Sequence, residues 1–196
     1  MPALGVLAIV FHQVRTWPQT VRILKRRNAE GVSVLTWSLV LACNVTWFVY
    51  GIVFGDAVLV VNGVFTVAGA AAILLAMARH GAAAAGQVLW LALATVAFDL
   101  ALYWLAGQAA LGTFAVGIAM MMFAPQVIKV FRAPVSGISP MTWILILTSS
   151  VTWLAYGFAS DQPAILVSHC VIFPCAVVVL ARIAVCSRQL NARLVA

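Results

Sequence analysis

The chain has 196 residues, of which 65% are hydrophobic and only 8% charged, and its mean hydropathy is +1.14. Water-soluble domains carry about a quarter charged residues, so an ordinary soluble globule is excluded, and four cysteines thinly spread over the chain argue against a disulfide-stapled secreted domain. The net charge of +7, from 11 Lys and Arg against 4 Asp and Glu, lies between or at the ends of apolar runs, which makes it an orientation signal in a membrane rather than a nucleic-acid surface.

Cutting the apolar runs at charged and turn-forming residues predicts seven helices, over 3–21, 32–54, 57–77, 86–105, 109–131, 138–158 and 163–183. Seven crossings of about 20 residues fit this length with short joints. Gln13 and Arg15 interrupt the first run. It has neither the basic leader nor the cleavage site of a signal peptide and reads as a first membrane helix; a six-helix chain in which it does not span leaves the other crossings in place. Turn residues join later pairs at Gly55-Asp56, Gly107-Gln108 and Ser160-Asp161-Gln162-Pro163.

Placing the N-terminus outside puts Arg15, Arg22, Lys25, Arg26, Arg27, Arg79, Lys129, Arg132, Arg182, Arg188 and Arg193 on the inner side. Asp56 and Asp161 then mark outward turns. This agrees with the positive-inside rule for an N-out, C-in chain of seven helices.

An internal repeat organises the whole sequence. Trp17-Pro18-Gln19 matches Ala124-Pro125-Gln126 at Pro and Gln. One residue out of that step, Gly31-Val32-Ser33 pairs with Gly137-Ile138-Ser139, Thr36-Trp37 with Thr142-Trp143, Val45-Thr46-Trp47 with Val151-Thr152-Trp153, and Tyr50-Gly51 with Tyr156-Gly157. Each copy holds three helices. Three crossings reverse direction, so the helix at 86–105 restores the second copy to the orientation of the first, and two parallel copies leave a central seam for a solute. The expected divisions are a first three-helix repeat over 1–80, a linker region over 81–107, a second repeat over 108–186 and a short cytoplasmic tail over 187–196.

These residues resemble the PQ-loop superfamily and, within it, the seven-helix SWEET sugar transporters. The likeness rests on Pro18-Gln19 and Pro125-Gln126, on the Trp-x-x-Tyr-Gly pattern at Trp47, Tyr50 and Gly51 and again at Trp153, Tyr156 and Gly157, and on Asp56 and Asp161 at the following turns. It implies an all-α membrane protein of two parallel three-helix bundles joined by a linker helix, passing a small sugar in both directions by alternating access. The Pro-Gln pairs are expected hinges: proline removes a backbone donor, and the amides of Gln19 and Gln126 are near enough in sequence to satisfy a freed carbonyl. Pro174 in the last helix has no counterpart, since residue 68 is alanine.

Candidate solute contacts follow from polar groups in apolar helices. Asn62 can both donate and accept, which suits a polyol and is costly facing lipid. The family resemblance places an asparagine on the third helix of each repeat against the sugar; in the second copy, Ser168 with His169 beside it stands at that place. Trp47 and Trp153 offer an indole face for a sugar ring and a nitrogen for a hydroxyl. Cys43 and Ser149, each four residues earlier, share a face with them. Packing or interface anchoring is the plainer role for all of these, and for Trp37 and Trp143, nearer the inner ends, anchoring is expected.

Asp99 is the costliest residue, a lone carboxylate in the linker helix. It either bonds a neighbour or reaches the headgroups, or it couples a proton, with His12 or His169 as partners. No enzymatic motif is present: there is no His-Glu-x-x-His, no nucleotide-binding glycine loop and no metal-site spacing among the cysteines. The expected protein is not an enzyme, takes no cofactor or metal, binds a mono- or disaccharide and the lipid bilayer but no nucleic acid, and resides in the plasma membrane, with short loops favouring a bacterial inner membrane. Two repeats suffice for a path, so a homo-oligomer is allowed but not required. A proton-coupled carrier of an amino acid or other polar metabolite, and a non-transporting receptor or assembly factor, are the competing readings.

Overall fold

The computed structural model describes residues 3–14, 34–79, 85–132 and 140–195. Among these the secondary structure is entirely helical: α1 (Ala3–Val14), α2 (Val34–Phe54), α3 (Ala57–Arg79), α4 (Ala85–Arg132), α5 (Pro140–Ala159) and α6 (Pro163–Val195). Pro18, Gln19 and the basic cluster from Arg22 to Arg27 lie outside the described residues.

Among the described residues five stretches are long and apolar enough to cross a bilayer: Trp37–Phe54, Ala57–Arg79, Gly86–Phe123, Pro140–Ala159 and Pro163–Ser187. The third is 38 residues long, roughly twice what one crossing needs. It is two helices, because Gly107 breaks α4 with φ 81° and ψ 178°, a conformation open only to glycine. The rings of Phe98 and Phe114 lie 4.9 Å apart, whereas 16 residues of straight helix would separate them by about 24 Å. The arms therefore fold back on each other, giving the two crossings expected on either side of Gly107-Gln108. With this break the described residues form seven helical segments. Trp90 and Trp104, near the two ends of the first arm, are 73% and 81% exposed, as tryptophans facing lipid at both interfaces would be.

The described residues pack as two units. One holds α2, α3 and α4 as far as Ala119; the other holds α1, α4 from Met120, α5 and α6. The first helix thus packs with the helices of the second repeat.

Both hairpins are closed by one device. In α2 and α3, a Cβ added to Gly51 would lie 2.7 Å from Leu59 Cβ, and one added to Gly63 would lie 2.7 Å from Phe48 Cβ. In α5 and α6, a Cβ at Gly157 would lie 2.9 Å from Ile165 Cγ2. The repeated Tyr-Gly pair is therefore a close crossing of helices, as small residues permit in membranes.

The turns are also built alike, in the register of the repeat. Asp56 N–H donates to Gly51 O at 2.8 Å and Gln162 N–H to Gly157 O at 2.9 Å. Gly55 at φ 74° and Asp161 at φ 54° are the left-handed residues before them. Asp161 is thus the counterpart of Gly55, and Gln162 of Asp56. Asp56 caps α3, its Oδ1 accepting from the N–H of Val58 at 2.8 Å and Leu59 at 3.0 Å, a bond set that contributes about 1 kcal/mol.

Two further differences from expectation have simple causes. Trp143 is not an interface anchor: it is 6% exposed, packed with Val130, Ile146, Ile172, Ala176 and Val179 and set edge-on to Phe123 at 6.2 Å. The last helix runs to Val195 rather than 183, because Arg, Gln, Leu and Ala beyond the apolar run are good helix formers.

Candidate functional site

Each unit carries buried polar and aromatic groups at one level of its hairpin. In the first, the approaches of Gly51 to Leu59 and of Gly63 to Phe48, with Asn44 Nδ2 donating to Thr66 O at 3.5 Å, fix an antiparallel register. That register sets Trp47 on α2 level with Asn62 on α3. Asn62 and Cys43 are buried and Trp47 is half-buried. Tyr50 meets Trp47 edge-on at 5.6 Å and stacks on Phe54 at 5.7 Å. Thr66 Oγ1 bonds the carbonyls of Asn62 and Gly63 at 3.0 and 3.2 Å. Its hydroxyl is thereby used within the helix.

In the second unit Trp153 is the centre. Its ring lies parallel to His169 at 6.1 Å, with 11° between the planes, and meets Tyr156 edge-on at 5.7 Å and His12 edge-on at 6.2 Å. Ser149 is fully buried one turn before it, and its hydroxyl and the indole Nε1 have no hydrogen-bond partner among the described residues. Two polar atoms so placed are costly in a protein interior. Ser168 is buried as well, but its hydroxyl bonds its own helix at Ile165 O, 2.9 Å away.

The repeat register makes Ser168 the counterpart of Asn62 and His169 the counterpart of Gly63. The two copies therefore differ in kind. In one a small residue admits Phe48, and in the other an imidazole covers the indole. His12 escaped the sequence reading as a contact of Trp153, because no pattern says that α1 packs with the second repeat's helices.

Asp99 and its neighbour form a further buried polar contact. Asp99 is 0% exposed, and its Oδ1 lies 3.2 Å from Thr46 Oγ1. It bonds a neighbour rather than reaching the headgroups. Thr46 immediately precedes Trp47, so this contact joins α4 to the helix that carries the first tryptophan. Of the expected hinges, Pro125 and Gln126 lie within α4, and Pro18 and Gln19 outside the described residues. No group of three or more His, Cys, Asp or Glu able to hold a metal occurs among the described residues.

Repeated helical hairpins with polar and aromatic groups buried inside apolar spans define a multi-pass membrane protein built by internal duplication. The PQ loop repeat pattern matches residues 2–60 and 108–166. These matches cover more than half of the chain, which belongs to the PQ loop repeat family.

Two bacterial relatives are each 30% identical. One is the sugar transporter SemiSWEET of Escherichia coli (strain UMEA 3162-1), over 71 residues, 36% of this chain and 80% of that protein. The other is the sugar transporter SemiSWEET of Bradyrhizobium diazoefficiens (strain JCM 10833 / BCRC 13528 / IAM 13628 / NBRC 14792 / USDA 110), over 78 residues, 40% of this chain and 91% of that protein. Less than half of this chain thus spans most of each relative. A solved structure of a eukaryotic SWEET transporter shares the fold, with a TM-score of 0.77 at 16% identity over 95% of this chain and 96% of that one. The chain is a SWEET-like PQ-loop protein with its helices in three-one-three order.

Proposed function

We propose that this protein is a facilitator that passes a small sugar, a mono- or disaccharide, in both directions across the membrane by alternating access. The observation that carries the reading is the buried pair of Trp153 Nε1 and Ser149 Oγ, a donor and a hydroxyl without a partner among the described residues, beside an aromatic face. A sugar ring presents the complementary surface: an apolar face for the indole and hydroxyls for the polar atoms. The relatives named as sugar transporters support the same class of solute.

Cys43, Trp47 and Asn62 form one half of the contact set in this reading, and Ser149, Trp153, Ser168 and His169 the other. The repeats occupy 1–80 and 108–186, joined through 81–107 and followed by the tail at 187–196. Pro18-Gln19 and Pro125-Gln126 act as hinges. The basic residues support an N-terminus outside and a C-terminus inside, and the short loops favour a bacterial inner membrane. The buried carboxyl of Asp99 favours one second reading, a proton-coupled carrier of another polar metabolite.

Asn62 tests the contact set. In proteoliposomes preloaded with unlabelled glucose, Asn62→Ala is expected to lower counterflow of labelled glucose roughly 10-fold, the loss of about one buried hydrogen bond to the solute. Equal flux at equal folded protein would remove Asn62 from the site.

A further inference from the structure

Thr46 has one hydroxyl proton and two oxygen neighbours. Its Oγ1 lies 3.1 Å from Ala42 O and 3.2 Å from Asp99 Oδ1. A carbonyl only accepts, so the proton between Thr46 and Ala42 must come from Thr46. If that bond is made, the proton between Thr46 and Asp99 belongs to Asp99, and the carboxyl is neutral and donates. If instead Thr46 donates to Asp99, a fully buried anion is held by one neutral hydroxyl. Its Oδ2 has no partner among the described residues. That arrangement is far the costlier of the two.

Among the described residues of this unit the one basic side chain is Arg79, at the last residue of α3. Residues 34–54, 57–78 and 85–119 contain no Lys, Arg or His. Besides Asp99, the titratable groups on the helices joined by the contact are Cys43 and Tyr50 on α2 and Tyr103 on the first arm of α4, all neutral when protonated, while Lys129 and Arg132 stand at the far end of the second arm, beyond the Gly107 break. On α3, which packs on α2, the ionisable group is Arg79 at its last residue, with Asp56 at its cap.

We propose that Asp99 is a proton-binding site: it carries its proton while α2 and α4 are packed through Thr46, donating to the threonine, and loses it only when that contact opens. Acid then favours the packed state, and base opposes it, because an ionised Asp99 would have to be buried there. Cys43 and Trp47 flank Thr46 on α2, so the occupancy of this site sets where that helix holds its polar and aromatic groups. The inference does not depend on which solute, if any, the protein carries.

Infrared spectroscopy of the purified protein tests it without a transport assay. The chain has only four carboxylic side chains, so one protonated group is resolvable. At neutral pH the wild type is expected to show the C=O stretch of a protonated carboxyl, lost in Asp99→Asn. Thermal stability is expected to fall with rising pH in the wild type, with that slope reduced in the variant. Should Asp99→Asn fail to fold, Thr46→Val serves instead: removing the acceptor should move the band to higher frequency. Wild-type and Asp99→Asn spectra that superimpose in this region, an unreduced slope, or a band unmoved in Thr46→Val would overturn the assignment.

Discussion

Gly51→Ala is expected to destabilise the protein by about 3 kcal/mol, and Gly157→Ala by distinctly less. Both glycines stand where two helices of a repeat cross, but what a new methyl would strike differs. At Gly51 it would meet Leu59 Cβ at 2.7 Å and the backbone nitrogen of Val60 at 3.1 Å. Neither atom can withdraw unless α3 moves as a whole, and α3 is held by the Phe48 contact at Gly63 on the same face. At Gly157 the nearest atom is Ile165 Cγ2 at 2.9 Å, a methyl that can rotate away at the cost of an off-rotamer strain of order 1 kcal/mol, and the fixed Ile165 Cβ stands farther off, at 3.1 Å, than Leu59 Cβ does from Gly51. Thermal unfolding of both variants in the same detergent checks the ranking. Equal losses would show that the two crossings respond alike and that backbone proximity does not set the cost.

Trp153 separates packing from solute contact. Trp153→Ala should cost about 3–5 kcal/mol, since it removes a nearly fully buried ring that His12, Tyr156 and His169 all touch. Trp153→Phe keeps an aromatic ring against His169 while removing part of the buried ring volume and the N–H that has no partner among the described residues. The cavity left is smaller than in Trp153→Ala, so its stability cost should be well below that of the alanine variant, roughly 1–2 kcal/mol. Sugar flux behaves differently on the proposed function. The indole N–H is then spent on a sugar hydroxyl, and Trp153→Phe should lose roughly 10-fold in flux. Unfolding scans and counterflow on the same preparations decide the matter: a phenylalanine variant with wild-type flux would leave Trp153 with a packing role alone.

Much of the architecture is legible in the sequence because it is written twice. The repeated Tyr-Gly pairs, the turns after them and the break at Gly107 follow from hydropathy, glycine placement and the repeat, and the PQ loop matches at 2–60 and 108–166 carry the same register. What periodicity cannot supply is the direction of each face when both environments are apolar. Trp143 reads as an anchor because lipid and core look alike to a hydropathy count, yet it lies in the core. Similarly, Asp99 announces itself as a buried carboxyl, but nothing in the chain's pattern names Thr46, 53 residues away, as its neighbour. The stacking of His169 and the approach of His12 on Trp153 depend on helix packing that no local signal encodes.

The most direct test of the proposed facilitator is labelled glucose counterflow by the wild type with the same pH on both sides and a protonophore present. The account predicts rapid exchange well above that of protein-free liposomes, and the same rate with and without the protonophore. Folded protein that exchanges no glucose under these conditions, yet accumulates a polar solute only when a pH gradient is imposed, would contradict it and establish the proton-coupled carrier instead.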